Sequence, residues 1–252
     1  AAENSAMDAQ GHYNRGAAQI SQGQYDKAIS EFTSAIALNP RYADAHFNRG
    51  LAYQGGGRYD QAIADYTKAL EINPRYAMAH FNRAIAHQQK GQYEQAISDY
   101  TAALEISPEY PSAHARRGAA YQNLGRYDQA IADYTKALEL SETAVIYLNR
   151  GFSYQREGQY YDAIEDYVDA LEIDPNYADA YLNRGAVYFK QGHHGWAIAD
   201  FSRALKINPR HADAYNNRGL VYQAMGRIDL ALEDYGMAVE IDPKYAAAYF
   251  HR

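Results

Sequence analysis

One short motif returns along this chain at nearly constant spacing. Asn-Arg-Gly, or a close variant, ends at Gly16, Gly50, Ala84, Gly118, Gly151, Gly185 and Gly219, so the spacings are 34, 34, 34, 33, 34 and 34 residues. A fixed period of this size marks one supersecondary unit written repeatedly. Such a unit cannot bury its apolar face alone and must stack on its neighbours. With the glycine at position 8, seven units occupy 9–42, 43–76, 77–110, 111–143, 144–177, 178–211 and 212–245. Residues 1–8 form an N-terminal extension, and 246–252 open the first helix of an eighth unit.

Within a unit the apolar residues follow helical spacing twice. In the second unit, ADAHFNRGLAYQG (43–55) reads as one amphipathic helix, Gly56-Gly57 as a turn, and YDQAIADYTKALEI (59–72) as another helix. Asn73-Pro74 ends the unit, since proline is tolerated at a helix flank and not in its interior. The expected fold is all-α, built from antiparallel helix pairs.

Small and aromatic residues hold fixed places. Position 20 is alanine in all seven units (28, 62, 96, 130, 163, 197, 231), and so is position 27 (35, 69, 103, 137, 170, 204, 238). Position 24 is always a ring: Phe32, Tyr66, Tyr100, Tyr134, Tyr167, Phe201 and Tyr235. Alanines let helices approach and rings fill the space between them. This pattern closely resembles the tetratricopeptide repeat family. The resemblance implies a right-handed superhelical solenoid whose first helices line a concave groove.

Arginine at position 7 departs from the leucine usual in that family. It lies three residues after position 4 and four before position 11, on the buried flank of the first helix. Position 23 supplies an acid in every unit: Glu31, Asp65, Asp99, Asp133, Asp166, Asp200 and Asp234. The two series predict a ladder of helix-to-helix ion pairs with rings stacked on the guanidinium. Histidines 12, 46, 80 and 114 share position 4 and are expected to pack as rings.

The asparagine at position 6 is the candidate for function. Asn14, Asn48, Asn82, Asn149, Asn183 and Asn217 share a helix face turned away from the packing residues, with Arg116 in the one remaining unit. A side-chain amide offers a donor and an acceptor together, which suits the backbone of an extended peptide whatever its sequence. The row is similar to the asparagine ladder in the repeats of O-linked N-acetylglucosamine transferase, which implies peptide contact. The alternative is that each amide solvates its helix or bridges neighbouring repeats. Phe47, Phe81, Leu148 and Leu182 at position 5, and Leu51 and Ile85 at position 9, are expected to give apolar pockets between the amides. Gln54, Gln88 and Gln122 at position 12 would add further amides. The predicted ligand is a protein or peptide segment with spaced apolar side chains. A carboxylate clamp is not expected, because no unit has asparagine at position 9 or lysine at positions 2 or 5.

The link 138–145, LELSETAV, lacks the proline of the other links and is one residue short. Arg116 lies in the unit just before it and is a candidate anchor for an acidic group on a ligand.

Composition narrows the remaining classes. A net charge of −7 with acids and bases interspersed argues against a nucleic-acid surface. Without cysteine there is neither disulfide nor thiol chemistry, and no apolar run is long enough to span a membrane. No nucleophile motif or phosphate loop is present, so no enzyme and no cofactor is expected. His193 and His194 are adjacent, and neighbours in sequence seldom ligate one metal together, so no metal is expected either. The leading expectation is a soluble, cytoplasmic or periplasmic, non-catalytic interaction scaffold. Two alternatives are end-to-end homo-oligomers formed through the C-terminal face at 246–252, and the targeting region of a larger enzyme.

Overall fold

The computed structural model describes the backbone of residues 2–243 and the side chains of residues 7–243. The opening of the eighth unit at 246–252, and the stacking face it was expected to expose, lie outside the described residues. Among the described residues there are fourteen α-helices and no strand. They fall into two compact units that divide after Arg126.

The first unit holds α1 (Ala2–Ser21), α2 (Tyr25–Leu38), α3 (Ala43–Gly55), α4 (Tyr59–Ile72), α5 (Ala77–Gln89), α6 (Tyr93–Ile106) and α7 (Pro111–Asn123). The second holds α8 (Tyr127–Leu140), α9 (Ala144–Arg156), α10 (Tyr160–Ile173), α11 (Ala178–Lys190), α12 (His194–Ile207), α13 (Ala212–Ala224) and α14 (Ile228–Ile241). Helix α1 already begins at Ala2, so the N-terminal extension is a continuation of the first helix. None of the described helices is long and apolar enough to cross a membrane.

The turn inside each pair is set by a left-handed glycine. Gly57 sits at φ +72°, and the chain reverses there through Gly57 N to Gln54 O (2.9 Å) and Arg58 N to Tyr53 O (2.8 Å). Between pairs, the Asn73 side chain accepts from Arg75 N at 3.2 Å, which fixes the turn around Pro74. The short link before α9 has no such turn. There Thr143 caps the helix instead, its side chain accepting from Ile146 N at 3.4 Å.

The core forms where each pair closes on the next. Ala62, Tyr66 and Ala69 of α4 are fully buried, and Phe47, Leu70, Ala79 and Ala86 complete their cluster. Glycine at position 8 makes room for the ring at position 24, and only Ala84, opposite Tyr100, adds a methyl there. A Cβ on Gly50 would stand 2.7 Å from the Tyr66 ring, and one on Gly219 would stand 2.6 Å from Tyr235. Successive first helices touch, α1 with α3 and α3 with α5 in one unit, α9 with α11 and α11 with α13 in the other. That closer approach puts first helices on the inside of the curve within each unit.

Candidate functional site

The arginine ladder is present within the three helix pairs of each unit. Arg49 donates through Nε and Nη2 to Asp65, both at 2.7 Å. Arg83 does the same to Asp99 at 2.8 and 2.7 Å, Arg150 to Asp166 at 2.9 and 2.7 Å, and Arg218 to Asp234 at 2.8 and 2.7 Å. Arg184 holds Asp200 at 2.8 and 2.9 Å, and Arg15 holds Glu31 at 3.0 Å. These forks consume the acids and most of the guanidinium, so the ladder is scaffold rather than ligand site.

A third bond ties one repeat to the next. Nη1 of Arg49, Arg83 and Arg117 donates to Thr33, Thr67 and Thr101 at 3.1, 3.0 and 2.9 Å. Arg150 and Arg218 reach Thr135 and Ser202, each at 3.0 Å. The threonines are themselves fixed, since Thr67 donates to Ile63 O at 2.8 Å and Thr101 to Ile97 O at 2.8 Å. The hydroxyl recurs at position 25 of the preceding unit, a legible signal that the reading of the sequence did not use.

The histidines do more than pack. Nδ1 of His46 lies 3.5 Å from Asp65 Oδ1, and its Nε2 lies 3.2 Å from Pro40 O. His80 repeats this with Asp99 at 3.3 Å and Pro74 O at 3.2 Å. A ring placed between an acid and the preceding proline link joins two repeats by polar contacts. No group of three or more metal-ligating side chains occurs among the described residues.

On the first-helix face of the first unit, Asn14, Asn48, Asn82 and Arg116 stand one repeat apart and reach solvent. Gln10 donates to Asn14 Oδ1 at 2.9 Å. Nδ2 of Asn48 donates to Asp44 O at 2.8 Å and to the Tyr13 hydroxyl of the preceding repeat at 3.1 Å. Burial and the nearby Asp44 charge push the Tyr13 phenol up, which keeps it neutral beside that amide. Asn82 donates to Met78 O at 2.8 Å. The carbonyl oxygens of Asn48 and Asn82 find no hydrogen-bond partner among the described residues. Arg116 is exposed and hydrogen-bonds to the Tyr100 hydroxyl; burial pushes the Tyr100 and Tyr110 phenols up, and the Arg116 charge opposes this at both.

In the second unit Asn149 and Asn183 are partly exposed and their side-chain amides make no hydrogen bond among the described residues, while Asn216 donates to Asn217 Oδ1 at 3.4 Å. Leu148 and Leu182 beside them are half-buried, as are Leu51 and Ile85 of the first unit.

Two groups of expected contact residues are placed differently. Phe47 and Phe81 are only 4% and 8% exposed, because Tyr76 and Tyr110 stack over them at ring separations of 4.9 and 4.7 Å. They form part of the core floor rather than open pockets. The glutamines of position 12 are partly spent inside. Gln54 and Gln88 accept from the hydroxyls of Tyr66 and Tyr100 at 2.9 and 2.8 Å, which gives each buried phenol an acceptor for its proton. Gln122 is half-buried. The sequence carries this pairing openly. Position 12 is glutamine wherever position 24 is tyrosine, and is Ile20 or Phe189 where position 24 is Phe32 or Phe201.

The tetratricopeptide repeat family model matches residues 43–76, 111–143, 178–211 and 212–245, more than half of the chain. Two further repeat models of the same kind match 18–55, 89–125 and 153–192, and 65–98. No curated protein matches. Among solved structures, MamA is 28% identical, covering 65% of this chain and 96% of its own, with a TM-score of 0.60. YrrB, described as a TPR protein with an unusual peptide-binding site, is 26% identical over 73% of this chain and 96% of its own, with a TM-score of 0.60. The C-terminal part of a TPR repeat-containing protein from Cytophaga hutchinsonii is 18% identical. It covers 95% of this chain and 98% of its own at a TM-score of 0.78, a likeness of fold alone. The chain belongs to the tetratricopeptide repeat family, a stack of helix pairs that is a scaffold for protein interaction.

Proposed function

We propose that the first-helix faces hold an extended peptide segment of a partner protein, without catalysis. The observation that carries this reading is the state of the position-6 amides. Asn48 and Asn82 turn their N–H groups into the scaffold and leave a carbonyl oxygen free at one-repeat spacing. Asn149 and Asn183 leave the whole amide free on their own face. Asparagine is a poor residue for a helix interior, so such a row is costly unless it is used. A free carbonyl accepts from a peptide N–H, and the half-buried Leu51, Ile85, Leu148 and Leu182 offer apolar contact beside it. YrrB, which resembles this chain over most of its length, is described as binding peptide, and this supports the same class of ligand. Arg116, exposed beside the Tyr100 hydroxyl, is placed to meet an acidic group on that segment.

The test is affinity capture on immobilised protein, comparing wild type with Asn48→Ala/Asn82→Ala/Asn183→Ala, with both folds checked by circular dichroism. Loss of specific partners by a variant that still folds is the expected result. Equal retention of every partner would remove the amides from the reading.

A further inference from the structure

Between α11 and α12 the repeat pattern changes in several places at once. Position 25 of the preceding unit is Val168, so Arg184 meets no hydroxyl where Arg49, Arg83, Arg117, Arg150 and Arg218 meet one. Position 19, a polar or charged residue in the first five units, is Trp196, the only tryptophan of the chain. The residue is 60% exposed, yet Tyr188 holds its ring edge-on at 5.3 Å and His193 lies at 4.7 Å. A cavity of about 230 Å³ opens here, lined by Arg184, Tyr188, Trp196, Ala199 and Asp200. A second, of about 220 Å³, is lined by Trp196 with His193, His194 and Gly195. None of these residues belongs to the asparagine face.

The chemistry of the lining selects a ligand. Arg184 Nη1, the Trp196 indole N–H and the Tyr188 hydroxyl are donors that meet no acceptor among the described residues. Asp200, the one acid in the lining, is held by the Arg184 fork, so the pair carries no net charge to attract an anion. A cation seeking the aromatic walls would meet the guanidinium. What fits is a neutral segment bringing carbonyl acceptors, no N–H groups to strand, and flat apolar rings to lie against tryptophan and tyrosine. A proline-rich segment in the polyproline II conformation has those three properties, because its backbone makes no internal hydrogen bonds and proline has no N–H.

We propose that the pocket between α11 and α12 is a docking site for a proline-rich segment of a partner protein, independent of the asparagine face. Arg184 Nη1 donates to a ligand carbonyl in place of the missing threonine, and Trp196 and Tyr188 pack against prolyl rings. Because Trp196 is the only tryptophan, its fluorescence reports this site directly. Titration with a decaproline peptide should shift the emission and saturate, whereas a Gly-Ser peptide of equal length should not. Val168→Thr returns the hydroxyl to Arg184 and should weaken binding roughly fivefold, the effect of about one hydrogen bond. Tyr188→Leu removes a wall and a donor and should weaken it roughly tenfold. Asn48→Ala/Asn82→Ala should leave the affinity unchanged, which separates this site from the first-helix face. The proposal is overturned by no saturable shift up to about 2 mM decaproline, by equal binding of the Gly-Ser peptide, or by undiminished affinity in either folded pocket variant.

Discussion

The two units secure the same arginine by different means. In the first, His46 and His80 stand beside Arg49 and Arg83, and each ring joins the arginine in holding the aspartate. In the second, tyrosines replace the histidine and flank the guanidinium. Arg150 lies 5.7 Å from both Tyr147 and Tyr154, and Arg218 lies 5.6 and 5.9 Å from Tyr215 and Tyr222. The turn edges differ in the same sense. Arg58 bonds Asp26 at 2.8 Å, Lys90 pairs with Asp60, and Arg126 bonds Glu94 in the first unit. In the second the edge carries rings: Lys190 lies over Tyr160 at 5.1 Å, and His193 and Trp196 follow. One backbone thus tolerates two solutions, because the position-7 charge needs compensation near it and either a second polar partner or a ring face provides it.

The largest effect should come from breaking the fork. Arg83→Ala strands Asp99 in the core and should cost on the order of 3 kcal/mol, read as a lower urea midpoint. If the midpoint is unchanged, the ladder does not stabilise the fold. Gln54→Leu is the next in size. It leaves the buried Tyr66 hydroxyl unpaired at roughly 1–3 kcal/mol, and the double change with Tyr66→Phe should recover most of it. Thr67→Val removes the bond between repeats and should cost about 1 kcal/mol in the first unit, leaving that contact as it now stands at Val168.

Acid should separate the units further. Burial, the largest single influence, raises the Asp65 and Asp99 carboxyls, but Arg49 with His46, and Arg83 with His80, together carry them below the ordinary range. At Asp166 burial also raises the carboxyl; Arg150 alone does not offset it, and Asp169 and Glu165 add to the rise. The stability that comes from Asp65 and Asp99 is present above the unfolded carboxyl value near pH 4 and is lost as pH falls through their folded values. Asp166 behaves oppositely, with its contribution present below the unfolded value and lost as pH rises through its folded value. Carbon-13 NMR titration of the carboxylates should show Asp65 and Asp99 below, and Asp166 above, the free value. The reverse order would break the comparison. The smallest effect belongs to the exposed edge: Arg58→Ala should change stability by less than about 1 kcal/mol, and salt should erase even that.

The helix pairs, the glycine at position 8 and the ion-pair ladder were all legible in the sequence, because each recurs at one period and has a single physical explanation. The asparagine row was legible as a row. Its division of labour was not, since only the fold shows Asn48 Nδ2 turned toward Tyr13 of the preceding repeat. Phe47 and Phe81 were read as open pockets because position 5 belongs to the first-helix face. Whether a ring there is open depends on Tyr76 and Tyr110, thirty or so residues further on.

By itself, the sequence determined the period, the elements and which residues must be buried, since helical spacing and turn chemistry are local. Only tertiary structure decided which donor meets which acceptor. The third bond of Arg49 to Thr33 and the Tyr66 bond to Gln54 depend on how side chains from separate helices meet. That is a matter of ångströms across a packed interface, and the spacing of residues along one helix does not contain it.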